Sequence, residues 1–300
     1  MTTSFPSVTV CCFGEILWDV LPDGPQPGGA PLNVTYHLAK LGVPAALVSR
    51  IGHDPEGKRL EDLMGRWGLR KDLLQTDPVH DTSRVLARIN SDNEVSYEIV
   101  FPVAWDFIEA NHPTIAAVEA ADYFVYGSLA ARHVVSKDTL FRLLDHAACK
   151  VFDINLRPPF YQKDVLEVLL SRADILKVNH AELETIVPMF GSKPGTEEEQ
   201  VKLLKERFGI KEIVVTKGSR GASYYAPAGT YHSDGAVVKV CDTIGSGDSF
   251  LAAFISAHFQ KETPDVILKK ATGMGAFIAG KKGGCPDYQV SEYLNFCKQL

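Results

Sequence analysis

The stretch from Ala236 to Phe259 constrains the fold of this chain more than any other. A β-branched run, Ala236–Val240, precedes the glycine turn Gly245-Ser246-Gly247, and an apolar helical run follows from Ser249. Glycines let the backbone approach a ligand, and the first N–H groups of a helix have no partner inside it. A strand, a glycine turn and a helix start therefore predict an α/β chain that binds an anion at this turn.

Asp248 lies inside the same turn. A carboxylate at a helix start is commonly an N-cap, which accepts a hydrogen bond from a free backbone amide. It is also a suitable general base, which takes a proton from a hydroxyl while the amides hold a transferring phosphoryl group. The spacing alone leaves both interpretations open.

The pattern Asp242-Thr-x-Gly-x-Gly-Asp248-x-Phe250 resembles the C-terminal signature of the ribokinase-like (PfkB) family of sugar kinases. The resemblance implies that Asp248 is the catalytic base and that the amides of Gly245, Ser246 and Gly247 form an anion hole. Ser246 stands where the family commonly has alanine. Because the anion hole needs its backbone N–H alone, we expect no loss of function.

Two N-terminal segments resemble sugar-binding motifs of this family. The segment Phe13–Asp19 is similar to the start of bacterial fructokinases, which implies that Asp19 binds sugar hydroxyls; a turn residue before Pro22 is the alternative. Gly28-Gly29-x-x-x-Asn33 matches the family's N-terminal glycine motif, which implies that these residues bind the sugar. For Asn33 the alternative is the N-cap of a helix predicted over residues 34–41.

A third segment, Asp153-x-Asn-x-Arg157-Pro, resembles the fructokinase-like members and implies that Arg157 faces substrate or phosphate. An arginine just after a predicted strand has the geometry to clamp an anion with two hydrogen bonds. A surface arginine before a Pro-Pro break is the alternative.

The nucleotide-binding residues implied by the resemblance follow two further predicted strands. Asn179 and Glu182 have capping-box spacing, and in the family they order hydrated magnesium and phosphates. Mg²⁺ keeps several waters, so Glu182 acting through water suffices. The implied contacts to ribose, phosphates and base come from these residues: Thr216, Gly218, Gly221, Gly247 and Gly273. For Gly273, tight helix packing is the alternative.

The resemblance also bears on cofactors. It implies ATP and Mg²⁺. Asp242 and Ile244, together with the Gly283–Cys285 loop, are candidates for a monovalent cation such as K⁺, which some family members hold. The sequence favours neither the presence nor the absence of this cation site.

Residues 82–107 change to an alternating pattern, which predicts a hairpin of strands 84–89 and 95–100. In the family, such strands and a segment near residues 16–30 form a small sheet that covers the sugar, and this sheet often pairs with a second subunit. We therefore expect one domain, 1–300, with lid segments at about 16–30 and 82–107, and a homodimer formed through the lid. Trp105 and Phe107 are either lid aromatics or ordinary packing residues.

Composition and charge exclude several functions. The net charge of −6 argues against nucleic acid or an anionic membrane as partner, because both require a basic face. The six cysteines lack zinc-site spacing, and neither a signal peptide nor a membrane-span run is seen, so we expect a cytoplasmic protein. Gly14 is followed by Glu-Ile-Leu rather than Gly-x-x-Gly, which argues against an NAD oxidoreductase.

Together these features predict a three-layer α/β/α fold with a mostly parallel central sheet and a small β-sheet lid. The function implied is ATP-dependent phosphorylation of a primary hydroxyl on a small sugar, with fructose as first choice. Ribose, 2-keto-3-deoxygluconate or a nucleoside are alternative acceptors. A sugar- or nucleotide-binding protein without turnover is the alternative from another class.

Overall fold

The computed structural model describes residues 8–21, 24–89, 95–191 and 195–299. Its strands are β1 (Val10–Phe13), β2 (Leu17–Leu21), β3 (Gly24–Gly28), β4 (Ala45–Gly52), β5 (Leu74–Asp77), β6 (Ser83–Ile89), β7 (Val95–Ile99), β8 (Tyr123–Gly127), β9 (Lys150–Asp153), β10 (Ile175–Asn179), β11 (Glu212–Thr216), β12 (Ala222–Ala226) and β13 (Gly229–Ser233). Its α-helices are α1 (Ala30–Lys40), α2 (Pro55–Arg66), α3 (His112–Ala120), α4 (Val134–Leu144), α5 (Lys163–Arg172), α6 (His180–Met189), α7 (Glu197–Phe208), α8 (Ser246–Phe259), α9 (Pro264–Ala279) and α10 (Val290–Cys297).

The larger sheet has the strand order β13-β12-β11-β10-β9-β8-β1-β4-β5. Its strands from β11 to β5 pair in parallel, and β12 and β13 add an antiparallel edge. Successive residues of β1 enter different cores: Cys11 and Phe13 join one buried cluster, whereas Val10 and Cys12 join the other. Because side chains alternate across a strand, both faces of the sheet are covered, and the predicted three-layer α/β/α fold is confirmed.

The smaller sheet has the order β3-β2-β6-β7. The predicted hairpin is confirmed as the antiparallel pair β6–β7, and its turn, residues 90–94, lies outside the described residues. β2 joins β6 in parallel, which places the 17–28 segment beside the hairpin. Trp105 is fully buried in a core cluster, and Phe107 stacks on His80 with ring centroids 3.7 Å apart, so both are packing residues.

The strand predicted over residues 236–240 was wrong, because this segment joins neither sheet. Val237 and Val240 are exposed, and the chain is next anchored where the Cys241 amide donates to the Ala279 carbonyl. The strands that precede the glycine turn are instead β12 and β13. A β-branched run favours extended backbone but does not specify a partner strand, which explains the error.

The helices carry no sign of a membrane segment. In the described ranges, every helix is either too short or too polar to cross a bilayer.

Candidate active site

Helix α8 starts at Ser246, three residues before the predicted start, with Gly245 as its N-cap in the left-handed region at φ 73°. A Cβ on Gly245 would lie 2.5 Å from the Cα of Gly284, so glycine is required there both by backbone conformation and by space. Asp248 is the third residue of the helix and lies three residues after the N-cap. Its Oδ2 accepts a hydrogen bond from Nδ2 of Asn33 at 2.8 Å. The N-cap interpretation of Asp248 was therefore wrong.

The backbone amides at this helix start differ in their availability. Within the described residues, the amides of Gly245 and Gly247 have no hydrogen-bond acceptor. The Ser246 amide donates to the Thr243 carbonyl at 3.3 Å, and its hydroxyl donates to the Gly275 carbonyl at 2.9 Å. Of the three amides of the predicted anion hole, the Ser246 amide thus has a partner within the protein, and those of Gly245 and Gly247 have none among the described residues.

The surroundings of Asp248 raise the pKa of its carboxyl. Burial is the main cause, and the nearby Asp153 carboxylate adds to it. Lys177, the hydrogen bond from Asn33 and Arg157 act in the opposite direction. A carboxylate with a raised pKa is a stronger base, which suits proton abstraction from a hydroxyl.

Asp248 faces a cavity of about 1020 Å³ between the two sheets. Four of the predicted sugar-binding residues, Asp19, Gly29, Asn33 and Arg157, line this cavity with Asp248. Asp19 lies on β2 of the smaller sheet, where burial raises its pKa to about 6 against the opposing charge of Arg157. A concave site with converging polar groups is typical of a small-molecule site.

Gly28 lies beside Asp19 and is not itself part of the cavity lining. A Cβ on Gly28 would lie 2.2 Å from Oδ2 of Asp19, so its role is to make room for that carboxylate. Gly29 has φ 109°, and its Cβ would lie 2.4 Å from the Glu15 carbonyl oxygen. Gly29 is also the N-cap of α1, so the N-cap interpretation of Asn33 was wrong.

Asn33 lies inside the first turn of α1 and is 3% exposed. Its amide nitrogen donates to Asp248, and its Oδ1 accepts a bond from the Cys285 thiol at 3.2 Å. These two bonds fix the orientation of the Asn33 amide and present its N–H to the carboxylate.

Arg157 lies at the exposed edge of the cavity, and its Nη1 donates to the Leu156 carbonyl at 3.0 Å. This bond holds one nitrogen of the guanidinium against its own loop. Arg157 is thus both a surface residue and part of the cavity lining, and its contact with substrate or phosphate stays a prediction.

A second cavity, of about 690 Å³, adjoins the first. Its lining includes the predicted nucleotide-binding residues Asn179, Thr216, Gly218, Gly221 and Gly247. The exposed valines of the 236–240 segment form part of its wall. Asn179, Thr216, Thr243 and Gly247 line both cavities, so the two spaces meet at the start of α8.

The predicted contribution of Gly273 is corrected by its position in α9. Gly273 is buried, whereas Thr272, Gly275 and Ala276 line the second cavity. Residues three and four apart share one helix face, and Gly273 lies off the face formed by Thr272, Gly275, Ala276 and Ala279. The small residues of α9 that line the second cavity are therefore Gly275 and Ala276 rather than Gly273.

Asn179 and Glu182 form the capping box of α6. The Asn179 side chain accepts from the Glu182 amide, and Oε2 of Glu182 accepts from the Asn179 amide, both at 2.9 Å. Oε1 of Glu182 accepts from the Leu156 amide. The structural interpretation is confirmed, and Glu182 also lines the larger cavity, where burial is the main cause of its raised pKa.

Asp242 joins two loops beside the glycine turn. Its Oδ1 accepts from the Ile244 amide at 3.0 Å and its Oδ2 from the Gly283 amide at 3.1 Å. Asp242, Ile244 and the 283–285 loop therefore do come together, as the cation-site prediction requires.

Lys177 was not predicted as a site residue, and Asp153 was predicted only as the start of a motif. Lys177 Nζ lies 2.8 Å from both carboxylate oxygens of Asp153, and both residues line the larger cavity. A lysine between Leu176 and Val178 in a buried strand was the signal available in the sequence.

Similarity to known proteins indicates the family of this chain. The family described as pfkB family carbohydrate kinase matches residues 24–290. A probable chloroplastic fructokinase-6 from Arabidopsis thaliana is 30% identical, with 95% of this chain and 81% of the relative covered. A fructokinase from Escherichia coli is 29% identical, with 83% of this chain and 84% of the relative covered.

Solved structures show the same fold. A fructokinase from Xylella fastidiosa with bound ATP superposes with a TM-score of 0.87 at 23% identity, over 98% of this chain and 99% of that one. A ribokinase II from Escherichia coli, described as putative, has a TM-score of 0.85 at 22% identity, over 98% of this chain and 100% of that one. The match of the family across most of the chain, joined to a carboxylate and free amides where two cavities meet, makes this protein a member of the pfkB family of carbohydrate kinases.

Proposed function

We propose that the protein is an ATP-dependent fructokinase, which transfers the γ-phosphoryl group of ATP to a primary hydroxyl of fructose. The observation that carries this proposal is the position of Asp248 beside the free amides of Gly245 and Gly247, where two cavities meet. One cavity suits a sugar and the other suits a nucleotide, so the acceptor hydroxyl and the phosphoryl group approach each other at the base.

In this proposal Asp248 accepts the proton of the sugar hydroxyl while the hydroxyl oxygen forms a bond to the γ-phosphorus. The bond from that phosphorus to the β–γ bridging oxygen breaks, and its electron pair leaves with ADP. The amides of Gly245 and Gly247 donate hydrogen bonds to the transferring group. Positioning and charge stabilisation supply most of the rate, because phosphoryl transfer needs little covalent chemistry from the protein.

The sugar contacts proposed are Asp19, Gly29, Asn33 and Arg157, with Gly28 making room for Asp19. Fructose is favoured because the relatives found over most of the chain are named fructokinases. The nucleotide contacts proposed are Asn179, Thr216, Gly218, Gly221 and Gly247, and Gly275 takes the place of Gly273.

Magnesium fits the residues present. Among the described residues, no group of three or more His, Cys, Asp or Glu side chains is arranged to hold a metal. Mg²⁺ in kinases is held chiefly by phosphates and water, which needs few protein ligands, and Glu182 is a carboxylate that faces the larger cavity. When bound, the ion neutralises phosphate charge; Glu182 would hold it through water.

For K⁺ we propose a site formed by Asp242, Ile244 and the 283–285 loop. The support is the closeness of the two loops through the Asp242 carboxylate. Activity measured while K⁺ replaces tetramethylammonium at constant ionic strength tests this site, and an unchanged rate would remove it from the proposal.

The proposed activity is tested with Asp248→Asn and a panel of fructose, ribose, 2-keto-3-deoxygluconate and a nucleoside in an ADP-release assay. We expect fructose to give the highest kcat/KM, and Asp248→Asn to lose about 10²–10⁴-fold in kcat while fructose and ATP still bind by calorimetry. Asp62→Asn, on an exposed face of α2, serves as control with unchanged rate. Full activity of Asp248→Asn would contradict the base assignment, and an inert wild-type protein would leave the non-catalytic binding protein as the better explanation.

Two further parts of the proposal concern the protein in its cell. We propose a homodimer formed through the smaller sheet and a cytoplasmic location. Sedimentation of the wild type beside a variant with a charge introduced on β3, Pro25→Glu, tests the dimer, and fractionation of the producing cells tests the location.

A further inference from the structure

Lys177 of β10 and Asp153 of β9 form an ion pair that lines the larger cavity. The two residues are direct partners in the parallel register of these strands. Lys177 is 7% exposed and Asp153 is 4% exposed, and Nζ lies 2.8 Å from both carboxylate oxygens. Their sequence neighbours Phe152, Leu176 and Val178 are fully buried apolar residues.

Fold stability does not explain the presence of this pair. Removing two charges from water costs free energy that their attraction seldom recovers, and apolar residues of similar volume are often equal or better at such positions. The other buried residues of these two strands, Val151, Phe152, Ile175, Leu176 and Val178, are apolar, as expected for parallel strands covered on both faces. The pair therefore points to a requirement for charge at this position.

The position of the ammonium group indicates what that charge meets. A Cβ built on Gly247 would lie 3.3 Å from Lys177 Nζ, so the ammonium group is directly beside one of the two free amides. A lysine ammonium group has three N–H donors. Asp153 takes two of them, which leaves the third for a ligand in the cavity that Lys177 lines.

We propose that Lys177 is a catalytic residue of the phosphoryl transfer, with Asp153 as its positioning residue. The third N–H of Lys177 donates to an oxygen of the transferring phosphoryl group, beside the amides of Gly245 and Gly247. Lys177 keeps its proton throughout, and the bonds made and broken are those described for the transfer to the sugar. This inference rests on the proposed kinase function.

The charges around Lys177 agree with this role. Burial lowers the pKa of Lys177, but the carboxylates of Asp153, Asp248 and Glu182 outweigh burial and leave the pKa above its usual value. Lys177 is therefore a permanent cation, suited to stabilise negative charge and unsuited to act as a second base.

The test removes both charges together, so that no unpaired charge remains in the core. In Lys177→Met/Asp153→Leu we expect thermal stability at least equal to wild type and a kcat lower by about 10²–10³-fold, as for loss of one preorganised donor to a transition state. KM for fructose and for ATP should change little, because the contact strengthens only as charge develops. Lys177→Gln/Asp153→Asn, a neutral hydrogen-bonding pair, should show the same loss and decides the matter if the first variant does not fold.

Lys211→Met is the matched control, because this exposed lysine pairs with Asp174 just before the first residue of β10, away from the cavity. It should keep the wild-type kcat. A folded double variant with kcat near wild type would overturn the role of Lys177 and leave the kinase function standing. A wild-type protein that phosphorylates no sugar of the panel would overturn both.

Discussion

The bond between Asn33 and Asp248 offers a quantitative test of the proposed base. Asn33→Ala removes the hydrogen bond that Nδ2 donates to Oδ2 of Asp248 at 2.8 Å. This bond favours the ionised carboxylate and so lowers the pKa of Asp248, against burial and the Asp153 carboxylate, which raise it. Without the bond, the pKa of Asp248 should rise further above its ordinary value.

The size of the rise follows from the strength of the bond. A hydrogen bond to a charged group contributes about 1.5–3 kcal/mol, and a pKa unit corresponds to about 1.4 kcal/mol. Partial replacement by water in the cavity reduces the effect, so a rise of about one pKa unit is expected.

The assay is the pH dependence of kcat/KM for fructose, whose acidic limb reports the ionisation of groups in the free enzyme. Asp19, with a pKa of about 6, and Glu15, with a pKa of about 7, face the same cavity and shape this limb in the wild type as well. The Asp248 contribution is therefore read from the difference between variant and wild type. In Asn33→Ala the acidic limb should move to higher pH, so that kcat/KM of the variant comes closest to the wild-type value in alkaline buffer.

Cys285→Ala is the matched control, because it removes the other partner of the Asn33 amide and leaves the bond to Asp248 in place. Its limb should coincide with that of the wild type. If Asn33→Ala lowers kcat/KM equally at every pH and the limb does not move, the ionised form of Asp248 is not what Asn33 stabilises, and the reasoning is refuted.

Three further outcomes are expected. Gly245→Ala should lose at least about 10²-fold in kcat, because its Cβ would displace the Gly284 backbone and the anion hole with it. Gly42→Ala, at φ 77° with open space around it, should keep kcat and lose about 1–2 kcal/mol of stability. Equal kcat values for the two variants would contradict the steric argument. Asp54→Ala should lower the free energy of unfolding by about 1–2 kcal/mol in urea titrations, because Asp54 caps α2 through the Gly57 amide, and an unchanged midpoint would show that the cap contributes nothing. Asp19→Asn should raise KM for fructose and raise Tm at pH 7.5. The pKa of Asp19 in the folded protein, about 6, exceeds the ordinary value, so the stability of the wild type is full at low pH and falls as pH rises through 6. A variant Tm with the same pH dependence as wild type would exclude Asp19 as the cause.

The parts of the fold that sequence predicted are those governed by local pattern. Strands β1, β4 and β8 to β11 are short apolar runs between turn residues, and the β6–β7 hairpin alternates, so their type follows from periodicity. The 236–240 run obeys the same pattern but lies where no neighbouring strand is available, and pairing is a property of the whole sheet. The strands β12 and β13 carry a mixed pattern that periodicity does not single out.

The site divides in the same way. The glycine turn and Asp248 were visible because their spacing is local, whereas the bond from Asn33 joins residues 215 positions apart. Lys177 and Asp153 become partners only when β9 and β10 pair. The bond from the Ser246 amide to the Thr243 carbonyl was not visible in the sequence, because α8 starts earlier than predicted.

Asp248 and Gly247 are neighbours within a single turn of α8, while Asp19 belongs to the smaller sheet. The proposed proton acceptor and a proposed phosphoryl-binding amide thus belong to one helix, and we expect their spacing to be preserved if the smaller sheet shifts. What such a shift alters is the placement of the alcohol. On the proposed function we therefore expect that substitutions in the smaller sheet change the choice of sugar, and that substitutions at the start of α8 change the rate of transfer.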